Sequence, residues 1–300
     1  MNFSNIISQI EKTDPKAYEE VSGRRSLLKS FGTKVAIAAL PIAFGSMFNK
    51  ASAKTSATNA VDAMNTLLEM KYFEYNYFHT ANNTGSLIPG SPGLTGNDLD
   101  GFLSIESHLK LQIAFLQNTI TQMSGTPFVP KHYNASALNP LFVPAAYDFT
   151  AGNTYLVFSN YTTFLTIGQL FCDGGVRMIQ GFMPVFLGNG TLLTQMLEMQ
   201  CTEARHAAHI RLVRRNMGIS VNADYPAPWI TNNVPPSAVP INRFQPWYDG
   251  EDNVTQSNIF ITSLTDVPAG GNVPKISATA AFDEPMDAAA LNTLMYPFKL

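Results

Sequence analysis

The chain has 300 residues, of which 45% are hydrophobic and only 14% charged, with a formal net charge of −3. So few Lys and Arg exclude a nucleic-acid binder run by a basic field, because neutralising phosphates takes many cations, and the balance excludes a disordered acidic chain. Two cysteines exclude a disulfide scaffold and a Cys-rich zinc module, while the length suffices for a sizeable core in one or two domains.

Residues 1–53 read as an address. Arg24-Arg25 precede Leu27-Leu28 and Lys29, an apolar run follows from Val35 to Phe44, and Ala51-Ser52-Ala53 supplies a small-residue cleavage site. That order predicts a twin-arginine export signal cut after Ala53. The apolar run is too short to span the roughly 30 Å of membrane hydrocarbon. The segment holds seven of the 19 basic and four of the 22 acidic residues, so the remainder carries 12 basic and 18 acidic side chains, a net charge of −6. No later segment is apolar enough to cross a membrane. The mature chain is therefore expected in the periplasm or outside the cell.

Four stretches then show helical periodicity. The first, 57–82, aligns Met64, Leu67, Lys71, Glu74 and Phe78. The second, 98–123, aligns Phe102, Ile105, Leu109, Gln112, Leu116 and Ile120. The third, 154–181, aligns Phe158, Tyr161, Leu165, Gly168, Cys172, Val176 and Ile179. The fourth, 191–217, aligns Leu192, Met196, Met199, Glu203, His206, Ile210 and Val213 and ends at Gly218. Steps of three and four place each set on one face. Gly and Pro punctuate 83–97, and the long connection 124–153 carries four prolines. Four long helices with one long middle connection predict an all-α, four-helix bundle with a crossover.

The expected organisation is a signal at 1–53, the bundle at 54–218 and an irregular extension at 219–300. Nine prolines in 219–285 argue against helices there, with a short strand at 259–261 and a short helix at 287–298. Trp229, Phe244, Trp247 and Tyr248 are expected to pack this Pro-rich tail on the bundle. The rival use of Trp229, Trp247 and Tyr248 is a carbohydrate-binding surface.

The informative residues are polar ones on apolar stripes. Each stripe has one near its middle: Lys71 and Glu74, Gln112, Cys172, and Glu203 with His206. Glu203 and His206 are spaced i, i+3, a pattern whose side chains converge on a metal inside a bundle, and carboxylate with imidazole suits iron, manganese or zinc. The alternative is a buried polar cluster that satisfies itself. His79, His108, Arg205 and His209 fall off the stripes, and His132 falls in the crossover. Cys172 reads as a small buried hydrophobe, and a Cys172–Cys201 disulfide stays open.

The motifs LLEMKYFEYNYF from Leu67, LFCDGGVRMIQG from Leu170, TEARHAAHIR from Thr202 and FDEP from Phe282 together resemble the ferritin-like domain family that includes plant desiccation-related proteins and fungal stress-induced homologues. The resemblance covers about 60–300. It implies a ferritin-like bundle with a di-iron centre, taking one Glu from each of two helices and a Glu-x-x-His from each of the other two. Those ligand positions fall on Lys71 with Glu74 one turn away, on Leu109 and Gln112, on Cys172, and on Glu203 and His206. Two of six ligands remain, so the resemblance implies a degenerate centre.

Two metal ions bring about four positive charges that carboxylates must balance. A lysine in their place predicts a Lys71–Glu203 ion pair, with His206 and Gln112 hydrogen-bonded around it. This makes an exported, structural or stress-associated protein of the bacterial envelope the expected role, more non-enzymatic than enzymatic, with no metal cofactor. The rival is a metal-binding protein or oxidoreductase with iron or zinc at a reduced site of Glu74, Cys172, Glu203 and His206. No nucleic-acid partner is expected, and a homo-oligomer stays open.

Overall fold

The computed structural model describes residues 59–83, 97–217, 229–236, 244–266 and 271–300. The expected signal at 1–53, the linker glycines and prolines of 84–96 and the helix-ending Gly218 lie outside them. Four long helices form the body: α1 (Ala60–Asn83), α2 (Asn97–Gln122), α3 (Tyr161–Phe186) and α4 (Gly190–Asn216). The helix α1 packs mainly on α2, and α3 on α4, while contact between α1 and α3 joins the two pairs. Among the described residues no helix is long and apolar enough to cross a membrane.

Asparagines set three of the starts. The side chains of Asn59, Asn160 and Asn189 accept from the backbone N–H groups of Asp62, Thr163 and Leu192 at 3.0, 3.0 and 3.1 Å, satisfying donors that a helix leaves unpaired at its first turn. The Asn160 cap corrects the expected start of the third helix. Residues 154–160 form turns, so Phe158 precedes the helix, which then continues past Pro184 to Phe186.

The one-sided stripe expected for α3 is also corrected. Every residue from Phe164 to Ile179 is buried, because α1 and α4 cover one side and the C-terminal tail covers the other. Trp247, Tyr248, Phe244, Met286, Leu291 and Phe298 of the tail are all buried. Phe171 of α3 lies 5.9 Å from Trp247 and 5.6 Å from Phe298, ring centre to ring centre. Two glycines permit this approach: a Cβ on Gly174 would sit 2.0 Å from the Trp247 ring, and one on Gly181 would sit 2.1 Å from the Met286 carbonyl.

The crossover is tied to α1 by two side-chain amides, that of Asn76 buried and that of Asn65 half-buried. Asn76 donates to the carbonyl of Leu141 and accepts from the N–H of Val143, and Asn65 does the same with Thr126 and Phe128. The chain end joins it too, as Leu300 N–H donates to Ala146 and Lys299 reaches Glu69 at 2.6 Å.

The tail holds two small hairpins. β1 (Thr255–Gln256) pairs with β2 (Ile259–Phe260), and β3 (Thr265–Asp266) with β4 (Gly271–Asn272). Ser257 and Asn258 both take positive φ, 50° and 66°, the conformation a two-residue hairpin turn needs. The expectation of no helix before 285 fails at α5 (Lys275–Ala280). Pro274 stands just before it, where a missing N–H costs no helical bond. α6 (Ala288–Met295) is capped by Asp287. Trp229 is a further correction. It is 55% exposed and packs nothing down, whereas Trp247 and Tyr248 are sealed, so these three rings cannot form one binding surface.

Candidate functional site at the bundle centre

Lys71 and Glu74 sit one turn apart on α1, and Glu203 faces them from α4. Lys71 Nζ lies 2.7 Å from Glu74 Oε2 and 3.0 Å from Glu203 Oε1, with all three side chains fully shielded from solvent. Gly175 of α3 closes the cluster. A Cβ there would lie 2.9 Å from Glu74 Oε1 and 3.2 Å from Glu203 Oε2, so a larger residue would push the carboxylates apart.

The electrostatics follow from burial and pairing. Burial alone would lower the Lys71 pKa, but Glu203 and Glu74 hold it above the ordinary lysine value. Burial and the neighbouring Glu203 push the Glu74 carboxyl up against the pull of Lys71. Burial works on Glu203 in the same sense, yet Lys71 and His206 outweigh it and hold that carboxyl below the usual range. One ammonium, one carboxylate and one carboxyl driven toward its neutral form make a charge-balanced plug. Such balance is what lets charges persist in a core, since an unpaired one costs several kcal/mol.

His206 is buried with its Nδ1 3.4 Å from Glu203 Oε1. Its other nitrogen meets a residue that falls off the apolar stripe of α2: His108 Nδ1 lies 3.0 Å from His206 Nε2, with the two rings parallel to within 7°. The sequence signal for this was present, since His108 stands four residues before Gln112 and a modest helix rotation turns it inward. Burial, His206 and Arg205 lower the His108 pKa, which favours a neutral ring. Gln112 corrects an expectation. It is buried at 8% exposure, but neither amide atom has a hydrogen-bond partner, so it does not join the ion cluster. The remaining histidines lie elsewhere. His79 pairs with Glu106 at 2.6 Å on the α1–α2 seam, His209 packs edge-on against Phe102, and His132 is exposed.

The four-ligand set is brought together only in part. Cys172, Glu203 and His206 each offer a ligand atom within 4.8 Å of the others, but Glu74 stands outside that group, held by Lys71. Cys172 and Cys201 are both free thiols, the first buried and the second exposed, which removes the disulfide. Burial, then Glu74 and Glu203, push the Cys172 thiol well above its ordinary range, against the thiolate a metal requires. A two-metal centre does not fit these residues. α2 contributes no carboxylate there, only Leu109, the Gln112 amide and His108 beside His206, and a lysine ammonium lies between the two carboxylates.

A second buried polar cluster, unanticipated from sequence, lies where α3 and α4 meet the tail. Asp173 accepts from Arg211 and from the Tyr248 hydroxyl, both at 2.5 Å, and Arg214 donates to Gln169. Arg177 donates to the carbonyls of Trp247, Asp249 and Glu284 and pairs with Glu251 at 2.6 Å. Glu251 Oε1 also receives the N–H of Glu284, which joins the FDEP motif to this point. Arg211 and Arg214 stand near the end of α4. They are buried, and they turn toward α3.

The sequence profile of the ferritin-like domain matches residues 59–216, the span of the four long helices. No curated protein and no solved structure is significantly similar to the chain. The match covers more than half of the 300 residues, and the chain belongs to the ferritin-like domain family.

Proposed function

We propose that this ferritin-like domain protein is non-enzymatic, exported by the twin-arginine route, and serves a structural or stress-associated role in the cell envelope. The observation that carries this reading is the position of Lys71. Its ammonium lies within 3.0 Å of both carboxylates at the bundle centre, and no solvent reaches it. A cation supplied by the chain itself does there what a bound metal does in a di-iron protein: it neutralises buried acids and ties α1 to α4. The paired arginines near the start and the small-residue site at Ala53 support export, and sequencing the mature N-terminus tests that part directly.

The central test is metal content. Protein purified after export, then incubated with ferrous iron or zinc and desalted, is expected to hold less than about 0.1 metal per chain. Near-stoichiometric metal would overturn the proposal.

A second reading is favoured by the convergence of Cys172, Glu203 and His206. A single zinc or iron held there would draw Glu203 away from Lys71. It would appear as about one metal per chain that Cys172→Ser abolishes, since three protein ligands are the minimum such a site uses.

A further inference from the structure

Near the end of the bundle where α2 finishes and α4 begins, these two helices stand apart and leave a groove of about 450 Å³. Asn118 and Gln122 of α2 line it, as do Asn189, Thr191 and Gln195 of α4, with the half-buried Phe115 in its wall. Asn118, Gln122, Asn189 and Thr191 are exposed and Gln195 is half-buried, so all five polar side chains are open to the groove. The amides of Asn118, Gln122 and Gln195 hydrogen-bond no other described residue. Asn189 commits its oxygen to the Leu192 N–H at 3.1 Å, which fixes the amide plane and leaves its NH2 group to donate. A Cβ on Gly188 or Gly190 would meet nothing within 4 Å, so the approach to Asn189 is clear on both sides.

The groove also lacks charge. None of its lining residues is ionisable, and no Asp, Glu, Lys, Arg or His occurs from Leu111 to Gln122 or from Met178 to Leu197. The solvent-facing side of a helix ordinarily carries charged residues. Here amides and hydroxyls stand in their place. A charged ligand would find no counter-charge, and an apolar one would strip water from the amides without replacing its hydrogen bonds. A neutral molecule rich in hydroxyls fits, because each amide offers a donor and an acceptor side by side, and adjacent hydroxyls of a sugar ring supply the reverse pair. The C–H face of such a ring packs on the electron-rich face of an aromatic ring, and Phe115 provides one.

We propose that this groove binds a neutral saccharide unit, its hydroxyls on the amides of Asn118, Gln122, Asn189 and Gln195 and one ring face on Phe115. The volume lies within the range of small-molecule sites. Lys71, Glu74 and Glu203 take no part, so the proposal stands or falls separately from the ion cluster.

The test titrates the intact protein with maltose, lactose and sucrose, with glucuronate and glucosamine as charged controls, and follows the side-chain amide resonances by heteronuclear NMR. The expected result is a saturable shift of the four groove amides with at least one neutral sugar, and binding of both charged controls weaker by about tenfold or more. Asn118→Leu and Gln195→Leu remove no hydrogen bond of the fold and should each weaken binding by about tenfold. Maltoheptaose beside maltose separates two sources of the same chemistry: equal affinity assigns a free sugar, and tighter binding of the longer chain assigns a glycan. No saturable shift with any of the three sugars at roughly tens of millimolar would overturn the proposal. So would equal affinity for the charged controls, shifts spread alike over all surface amides, or unchanged affinity in both variants. The wild-type titration keeps the test decisive if a variant fails to fold.

Discussion

At the bundle centre Lys71 meets only carboxylates, whereas at the seam under the tail Arg177 meets mostly backbone. Lys71 has two carboxylates as partners, and Glu74 Oε1 and Glu203 Oε2 have none beyond the cluster. Arg177 has three carbonyls from two segments of the tail as well as Glu251. A planar guanidinium presents five donors in a fixed fork, which suits gathering several carbonyls, while an ammonium is a compact point charge suited to a tight plug. The first arrangement holds two helices at one point. The second fixes an otherwise irregular segment along the length of α3.

The sharpest way to break this contrast is to remove the cation from each region in turn. Lys71→Met leaves Glu203 and Glu74 facing each other in the core and should cost about 3–5 kcal/mol, read by chemical denaturation of the whole bundle. A loss below 1 kcal/mol would mean that the carboxylates are solvated or neutral without Lys71. Arg177→Ala should cost less globally, about 2–3 kcal/mol, because its hydrogen bonds hold the tail and not the bundle centre. Limited proteolysis should then cut within 244–286 while the helical signal persists. Gly174→Ala is expected to cost roughly 1–3 kcal/mol by driving a methyl group into Trp247. Crystallography of that variant should show the displacement confined to the tail.

The smallest effect separates the clusters by pH. Glu251 Oε2 has no partner, and burial pushes this carboxyl up to about 8 against the pull of Arg177. A carboxyl whose pKa is raised on folding favours the native state fully below its unfolded pKa of about 4.5, and that contribution is lost as pH rises toward 8. The tail should therefore release more readily at pH 8 than at pH 5. Glu251→Gln should flatten the dependence, measured as the difference between the two melting temperatures. At the centre the two carboxyls oppose each other: the raised Glu74 pKa acts as Glu251 does, while the lowered Glu203 pKa gives a contribution present above the ordinary carboxylate range and lost as acid titrates it, so the net dependence there is smaller.

The four helices were legible because Leu, Met and Phe recur at steps of three and four, and because glycines and prolines punctuate the segments between them. Their pairing with polar core positions was legible as well. Lys71, Glu74, Glu203 and His206 announce themselves as charges on apolar stripes, and the geometry brings all four together. The start of α3 differs from the periodicity because Phe158 continues the apolar rhythm through a turn that only the Asn160 cap ends. His108 was set aside for a rotation of a few tens of degrees that periodicity does not resolve. The seam under the tail was not legible at all. Its partners lie 33 to 107 residues apart, and most acceptors of Arg177 are backbone carbonyls, which carry no side-chain signature.

The account rests on Lys71 being a charged partner of Glu203 in place of a metal. The ¹⁵N resonance of the Lys71 Nζ group reports this directly. With selectively labelled lysine, the account predicts an ammonium signal protected from exchange, unchanged by excess zinc or ferrous iron, and lost in Glu203→Gln. A neutral amine, or an ammonium that zinc displaces into rapid exchange, would contradict it.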